Sequence, residues 1–168
     1  MARFTAATES DAVVAAARKD IWTVLTDPVL LPTLTPLLRR IDTDGDLWRW
    51  QLTGLKVLGV GISPSFTERM TFTDGRRIDY THEPPDGATE TAGAEGSYEL
   101  SDVSGGTNLR IYLELSVDLP LPRLAAPAVT RVMEATMRTM GERFSANLLR
   151  HLGVDQPLRA DRSRSGAK

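Results

Sequence analysis

An alternation of apolar and polar side chains between residues 47 and 119 constrains this chain more than any other feature. Five stretches carry it: 47–52, 65–72, 76–83, 92–100 and 108–119. A period of two places every second side chain on one face of an extended strand. The joints "TDGRR" and "SGGT" have the composition of hairpin turns. We therefore expect an antiparallel meander with one apolar and one solvated face.

Outside this region the apolar period is that of a helix. An extended stretch at 3–15 precedes "RKDIWTVLTD", a short helix that ends at Asp27-Pro28. The prolines that follow leave room for only a second short helical turn. The segment 124–152 predicts one long helix that Gly153 terminates; its apolar stripe is Val129, Met133, Met137, Met140, Phe144 and Leu148. This helix must cover the apolar face of the sheet, which predicts an α+β domain of about seven strands.

Composition excludes several classes of protein. The chain has 168 residues, a formal net charge of −2, no cysteine and two histidines. We expect one domain at 1–153 and a disordered tail at 154–168. The charge predicts no nucleic-acid partner, and no apolar run is long enough to span a membrane or to act as a secretory signal, so we expect a cytoplasmic protein. Two histidines cannot form a three-histidine metal site, and no nucleotide-binding or nucleophile motif is present, so we expect no metal and no cofactor. The oligomeric state is not indicated.

One residue breaks the alternation. Glu68 falls on the apolar side of the strand 65–72, together with Phe66 and Met70. A carboxylate is expensive to bury without a partner. The position of Glu68 therefore calls for a specific explanation.

The number of residues in the hairpin loop determines which residue lies opposite Glu68, and so identifies a candidate partner for it. A two-residue turn at Asp74-Gly75 would set apolar residues against polar ones, whereas a three-residue loop that includes Arg76 pairs Glu68 with His82. Directly opposed residues lie close enough for a carboxylate to contact an imidazole. Three interpretations stay open: a structural pair, a polar anchor for an apolar ligand, and a general acid/base pair.

Other residues on the same face are candidates for lining a ligand cavity. Aromatic side chains there would give flat walls and two hydroxyl groups, and methionines suit ligands of variable shape. Core packing is the alternative for each of them. The candidate ligand-binding residues are Trp48, Trp50, Phe66, Met70, Tyr80, Tyr98, Met133, Met137 and Met140.

Three segments resemble one protein family. "VVAAARKDIWTVLTDP" (13–28), "LPTLTPLLRRI" (31–41) and "AEGSYELSDVSGGTNLRIYLELSVDLPLPR" (94–123) are similar to motifs of the START-like or SRPBCC superfamily, which includes the polyketide cyclase/dehydrase and lipid-transport group. Ala17 and Leu34 depart from the proline and the aromatic residue common in the family. The resemblance covers nearly all of the chain before Gly153.

The resemblance implies a helix-grip fold, in which a curved antiparallel sheet wraps around the long helix and encloses an apolar cavity. It implies binding of a small hydrophobic molecule, lipid-like or polyketide-like. The alternative is an enzyme, a polyketide aromatase/cyclase or dehydratase that uses Glu68 and His82 as acid/base groups. A ligand-sensing or protein-interaction module is a third possibility within the superfamily.

Overall fold

The structure is a computed structural model that describes residues 1–154. Nine strands and three α-helices follow one another along these residues. Their bounds are β1 Ala2–Val14, α1 Arg18–Leu25, α2 Leu31–Leu34, β2 Leu38–Asp44, β3 Leu47–Leu52, β4 Leu55–Val57, β5 Val60–Ile62, β6 Ser65–Thr73, β7 Arg77–His82, β8 Ala92–Val103, β9 Gly106–Leu119 and α3 Ala126–Leu152.

Seven strands form one antiparallel sheet in the order β1-β9-β8-β7-β6-β3-β2. Consecutive strands pair in β2–β3, β6–β7, β7–β8 and β8–β9, whereas β3 pairs with β6 across the small β4–β5 hairpin and β9 returns to pair with β1. The helix α3 contributes six buried side chains, Val129, Met133, Met137, Phe144, Leu148 and Leu149. The expected α+β helix-grip architecture, with two short helices after the first strand, is confirmed.

The helix ends agree with the expected signals to within a few residues. Gly153 adopts the left-handed conformation with φ of 71°, and its amide bonds the last turn of α3. A 3₁₀ turn at Arg123–Ala125 occupies the expected first residues of the helix. The tail expected at 154–168 lies outside the described residues except for Val154.

The small hairpin of β4 and β5 is not evident from the sequence pattern. Each of its strands has three residues, which is too short to show a period. Its Val57 is buried in a cluster with Phe4, Val129 and Met133. The hairpin therefore packs against the N-terminal half of α3, outside the main sheet.

Two apolar clusters make up most of the core. One joins α1, α2, the inner face of β3, β6 and β7, and the C-terminal end of α3; the other joins β1, β9, the small hairpin and the N-terminal half of α3. Burying each large apolar side chain contributes about 1.5–3 kcal/mol. Members of both clusters also line a cavity between the sheet and α3.

Candidate functional site

A cavity of about 1340 Å³ lies between the inner face of the sheet and the C-terminal half of α3. Its walls are mainly aliphatic and aromatic. They include residues of α2 and of all seven strands of the main sheet. Four charged residues of the lining are exposed and belong to its rim: Glu9, Arg138, Glu142 and Arg150. Among residues 1–154, the buried part of the lining includes one ionisable carboxyl, that of Glu68.

Six of the predicted ligand-binding residues line this cavity: Trp50, Phe66, Tyr80, Tyr98, Met137 and Met140. Trp48 and Met70 share their face of the sheet but pack in the cluster with Ile21 of α1. The Trp48 ring lies 5.8 Å from that of Phe72, measured between centroids. Helix α1 thus covers this end of the sheet, and these two side chains lie outside the cavity lining.

Met133 is the third predicted residue outside the lining. It lies in the N-terminal half of α3 and is buried in the cluster that includes Val57 of the small hairpin. Met137 belongs to the same cluster and also reaches the cavity. The methionine stripe therefore divides between core packing and the cavity wall.

The register of the β6–β7 hairpin is the one predicted from a three-residue loop. Glu68 lies directly opposite His82 across a three-residue loop at 74–76, and Met70 lies opposite Tyr80. Gly75 in this loop has φ of 66°, which an L side chain rarely adopts. The predicted pairing of Glu68 and His82 in the strand ladder is confirmed.

The predicted contact between their side chains is wrong. His82 Nε2 lies 2.8 Å from Glu90 Oε2, and no ion pair joins His82 to Glu68 among residues 1–154. The imidazole packs on Gly93, where a Cβ atom would come within 2.5 Å of its Nδ1. Because Gly93 leaves this space and the loop after β7 brings Glu90 into reach, the ring turns away from Glu68. His82 does not line the cavity.

The Glu90 carboxylate holds a small polar cluster beside β6. It accepts hydrogen bonds of 2.8 Å from both the backbone amide and the Oγ1 of Thr67. Thr67 is 3% exposed although it points away from the cavity side. The sequence does not reveal this cluster, because a loop at 83–91 brings its carboxylate to β6.

Glu68 is 3% exposed and lines the cavity. Burial raises the pKa of its carboxyl well above the ordinary range, and a weak hydrogen-bonding approach of the Trp50 side chain lowers it only in part. Within the described part of the chain, Glu68 Oε2 and Trp50 Nε1 are both buried without a hydrogen-bond partner. Two neighbouring wall residues thus present unpaired polar atoms.

Two tyrosines add neutral polar groups to the same wall. The Tyr80 hydroxyl donates a hydrogen bond of 2.7 Å to the carbonyl of Tyr112 and passes over Gly96 to reach it. The ring centroids of Tyr80 and Tyr98 are 5.5 Å apart. Burial raises the pKa of both hydroxyls, so both are un-ionised donors at neutral pH.

The sequence reasoning left several wall residues unassigned. Ile111, Leu113 and Leu115 of β9 lie on the apolar face that the alternation identifies, yet nothing in the pattern separates cavity wall from packed core. Thr8 and Ser10 of β1 also line the cavity. The polar composition of β1 gives no signal for such a position, since only pairing with β9 places these side chains there.

Two kinds of feature are absent from the part of the chain that the structure describes. Residues 1–154 contain no group of three or more histidine, aspartate or glutamate side chains arranged to hold a metal ion. Within the same range, no helix has the length and apolar character needed to cross a membrane.

Comparisons with known proteins agree with this fold. No curated protein matches the chain significantly. The Zhui aromatase/cyclase from Streptomyces sp. R1128 superposes with a TM-score of 0.65 at 15% identity, over 89% of this chain and 94% of that one. A START superfamily protein from Mycobacterium smegmatis gives a TM-score of 0.60 at 17% identity, over 88% and 98% of the two chains. The di-domain ARO/CYC StfQ from the steffimycin biosynthetic pathway gives 0.63 at 14%, over 89% of this chain and 51% of that one.

At these identities the solved structures show a shared fold alone. The family assignment comes from sequence: the model of the family described as polyketide cyclase / dehydrase and lipid transport matches residues 2–149. That match spans the sheet, the cavity and nearly all of α3. The chain therefore belongs to the polyketide cyclase/dehydrase and lipid transport family.

Proposed function

We propose that this protein binds a small hydrophobic molecule, lipid-like or polyketide-like, in the cavity between the sheet and α3. The observation that carries the proposal is the cavity itself, about 1340 Å³ with apolar walls and few polar groups. Pockets for drug-sized ligands have volumes of about 300–1000 Å³, so this one accommodates a ligand of at least that size. Family membership supports the same class of ligand.

The role of Glu68 in this proposal is that of a polar anchor. A pocket of this kind orients an apolar ligand through a small number of placed polar groups. Among residues 1–154, Glu68 and Trp50 are the wall residues with a fully buried polar atom that lacks a hydrogen-bond partner. The Tyr80 hydroxyl already donates its hydrogen bond to the Tyr112 carbonyl, so Tyr80 contributes mainly the apolar surface of its ring to the wall.

The test fills the cavity and measures binding. Leu113 lies on the inner face of β9 and is half-buried because the cavity adjoins it. Leu113→Trp is expected to weaken binding of the fluorescent hydrocarbon pyrene at least about tenfold, since added bulk occupies the site. The matched control is Tyr112→Trp on the opposite face of the same strand, which is expected to leave the affinity unchanged. Equal binding by wild type and Leu113→Trp would refute the proposal.

A second measurement looks for the natural occupant. Native mass spectrometry of gently purified protein is expected to show a co-purified apolar molecule as an added mass. The same molecule should be absent from Leu113→Trp and present in Tyr112→Trp. Retention by both variants would place that molecule elsewhere on the protein.

The alternative proposal is an enzyme, a polyketide aromatase/cyclase or dehydratase. The burial that favours a protonated Glu68 beside the cavity supports it, because a neutral carboxyl can donate a proton to a bound ketone. His82, the second acid/base group expected from the sequence, would act from outside the cavity lining. Glu68→Gln should then abolish cyclisation or water loss from a poly-ketone thioester while binding persists. A carrier would show no turnover in either protein.

A further inference from the structure

We propose that the molecule bound in the cavity carries a neutral oxygen, a hydroxyl or a carbonyl, at its buried end, held between the indole N–H of Trp50 and the carboxyl of Glu68. This rests on the proposed function above and specifies the chemistry of its ligand. It makes Trp50 and Glu68 the residues that determine specificity.

The two groups lie side by side on the inner face. In the ladder of β3 and β6, Trp50 is opposite Phe66 and Trp48 is opposite Glu68, so Trp50 and Glu68 are diagonal neighbours. Both line the cavity. Diagonal side chains of this length are within reach of one shared partner.

Each group has an unpaired buried polar atom. Trp50 Nε1 and Glu68 Oε2 are shielded from solvent, and neither has a hydrogen-bond partner among residues 1–154. Buried polar groups are almost always paired with protein, water or ligand. A ligand atom that pairs both therefore gains affinity that an apolar atom at the same place does not.

The donor inventory selects the ligand atom. An indole N–H only donates, and a protonated carboxyl both donates and accepts. Burial favours the protonated form of Glu68. An oxygen with two lone pairs accepts from both groups, and a hydroxyl can also donate to the carboxyl. A hydroxyl or a carbonyl oxygen thus satisfies both wall residues.

Charge excludes an acidic group at this position. The cationic side chains of the lining are Arg138 and Arg150, both exposed on α3. Near Glu68, the groups of β7 and β8 that face it are the hydroxyls of Tyr80 and Tyr98. A carboxylate or phosphate at the buried end would therefore meet an acid and, among residues 1–154, no cation of the buried lining.

The experiment compares two probes that differ by one oxygen, pyrene and 1-hydroxypyrene, by fluorescence titration at slightly acidic pH. Wild type is expected to bind 1-hydroxypyrene about tenfold more tightly than pyrene. Trp50→Phe and Glu68→Met each remove one partner and keep apolar bulk, so each should reduce this ratio to about threefold or less. Trp48→Phe is the matched control, because it lies on the same strand and face but outside the lining.

The outcomes separate the two proposals. Equal affinities for the two probes in wild type, or a ratio that neither Trp50→Phe nor Glu68→Met changes, overturns the neutral-oxygen site. No pyrene binding, or binding that Leu113→Trp does not weaken, overturns the cavity proposal instead. Melting temperatures establish that each variant is folded, and if Glu68→Met does not fold, the ratio in Trp50→Phe decides alone.

Discussion

His82 Nε2 and Glu90 Oε2 lie 2.8 Å apart, and the same carboxylate accepts two hydrogen bonds from Thr67. Glu90 therefore fastens the loop between β7 and β8 to β6. We expect Glu90→Ala to lower the free energy of unfolding by roughly 1–3 kcal/mol, because it leaves a buried backbone amide unpaired. Urea denaturation measures this loss.

The control for this prediction is Glu95→Ala, a change at an exposed position of β8. It should alter stability by less than about 0.5 kcal/mol. Because Glu90 and His82 lie outside the cavity lining, pyrene affinity in Glu90→Ala should match wild type. A large loss of affinity would mean that this cluster shapes the cavity.

Glu68 makes stability depend on pH. Burial raises the pKa of Glu68 in the folded chain, whereas the unfolded chain releases this proton near the ordinary glutamate pKa of about 4.3. Between these two values the folded state binds more protons, so the free energy of unfolding falls as pH rises and levels off above the folded pKa. Glu68→Gln should therefore be more stable than wild type at neutral pH, because the amide has no charged form to bury. This advantage should disappear at acidic pH.

The matched control has the opposite sign. Arg69 lowers the pKa of Glu83, a half-buried residue at the surface, so Glu83→Gln removes a favourable term that is present above the ordinary glutamate pKa. Thermal unfolding over a pH series measures both variants. A Glu68→Gln profile parallel to wild type would show that Glu68 titrates normally in the folded protein.

Gly96 provides a sharp packing test. A Cβ atom there would lie 2.6 Å from Tyr80 Oη and would collide with the Tyr112 carbonyl. Gly96→Ala should therefore break the hydrogen bond from the Tyr80 hydroxyl to the Tyr112 carbonyl. We expect it to destabilise the sheet by more than about 2 kcal/mol. Gly141→Ala on α3, where an added Cβ meets nothing within 4 Å, should instead stabilise by about 0.5–1 kcal/mol. A similar loss of stability in Gly96→Ala and Gly141→Ala would contradict the close approach of the Tyr80 side chain to Gly96.

Leu58 marks a strained turn. The two-residue turn of the β4–β5 hairpin is Leu58-Gly59, with φ of 49° and 83°. Such turns favour asparagine before glycine, because asparagine tolerates positive φ. Leu58→Asn should raise the melting temperature by a few degrees, equivalent to about 1 kcal/mol. Leu58→Val should lower it, since a β-branched residue tolerates positive φ least.

The alternation of apolar and polar residues was enough to predict the strand register and the apolar face of the sheet. Parity alone placed Glu68 opposite His82, and the apolar face identified part of the wall, including Trp50 and Tyr98. It could not give the side-chain partner of His82, because that depends on a loop residue, Glu90, and on the missing side chain of Gly93. Nor could the sequence distinguish the cavity wall from the packed core. Trp48 and Trp50 occupy equivalent positions in the alternation, but Trp48 packs in the cluster with α1 whereas Trp50 lines the cavity.

The pairing of β1 with β9 has a consequence for synthesis of the chain. Ala2 pairs with Leu119, and β9 is the sheet neighbour of β1 along its whole length. Within this domain, β1 is therefore synthesised well before its partners, which follow 93 residues later for Val14 and Thr107 (107 − 14) and 117 residues later for Ala2 and Leu119 (119 − 2). Contacts of such long sequence separation form slowly. A nascent chain that ends before β9 exposes both β1 and the inner face of β8, so completion of the domain, and of its cavity, coincides with the emergence of its last strand and helix.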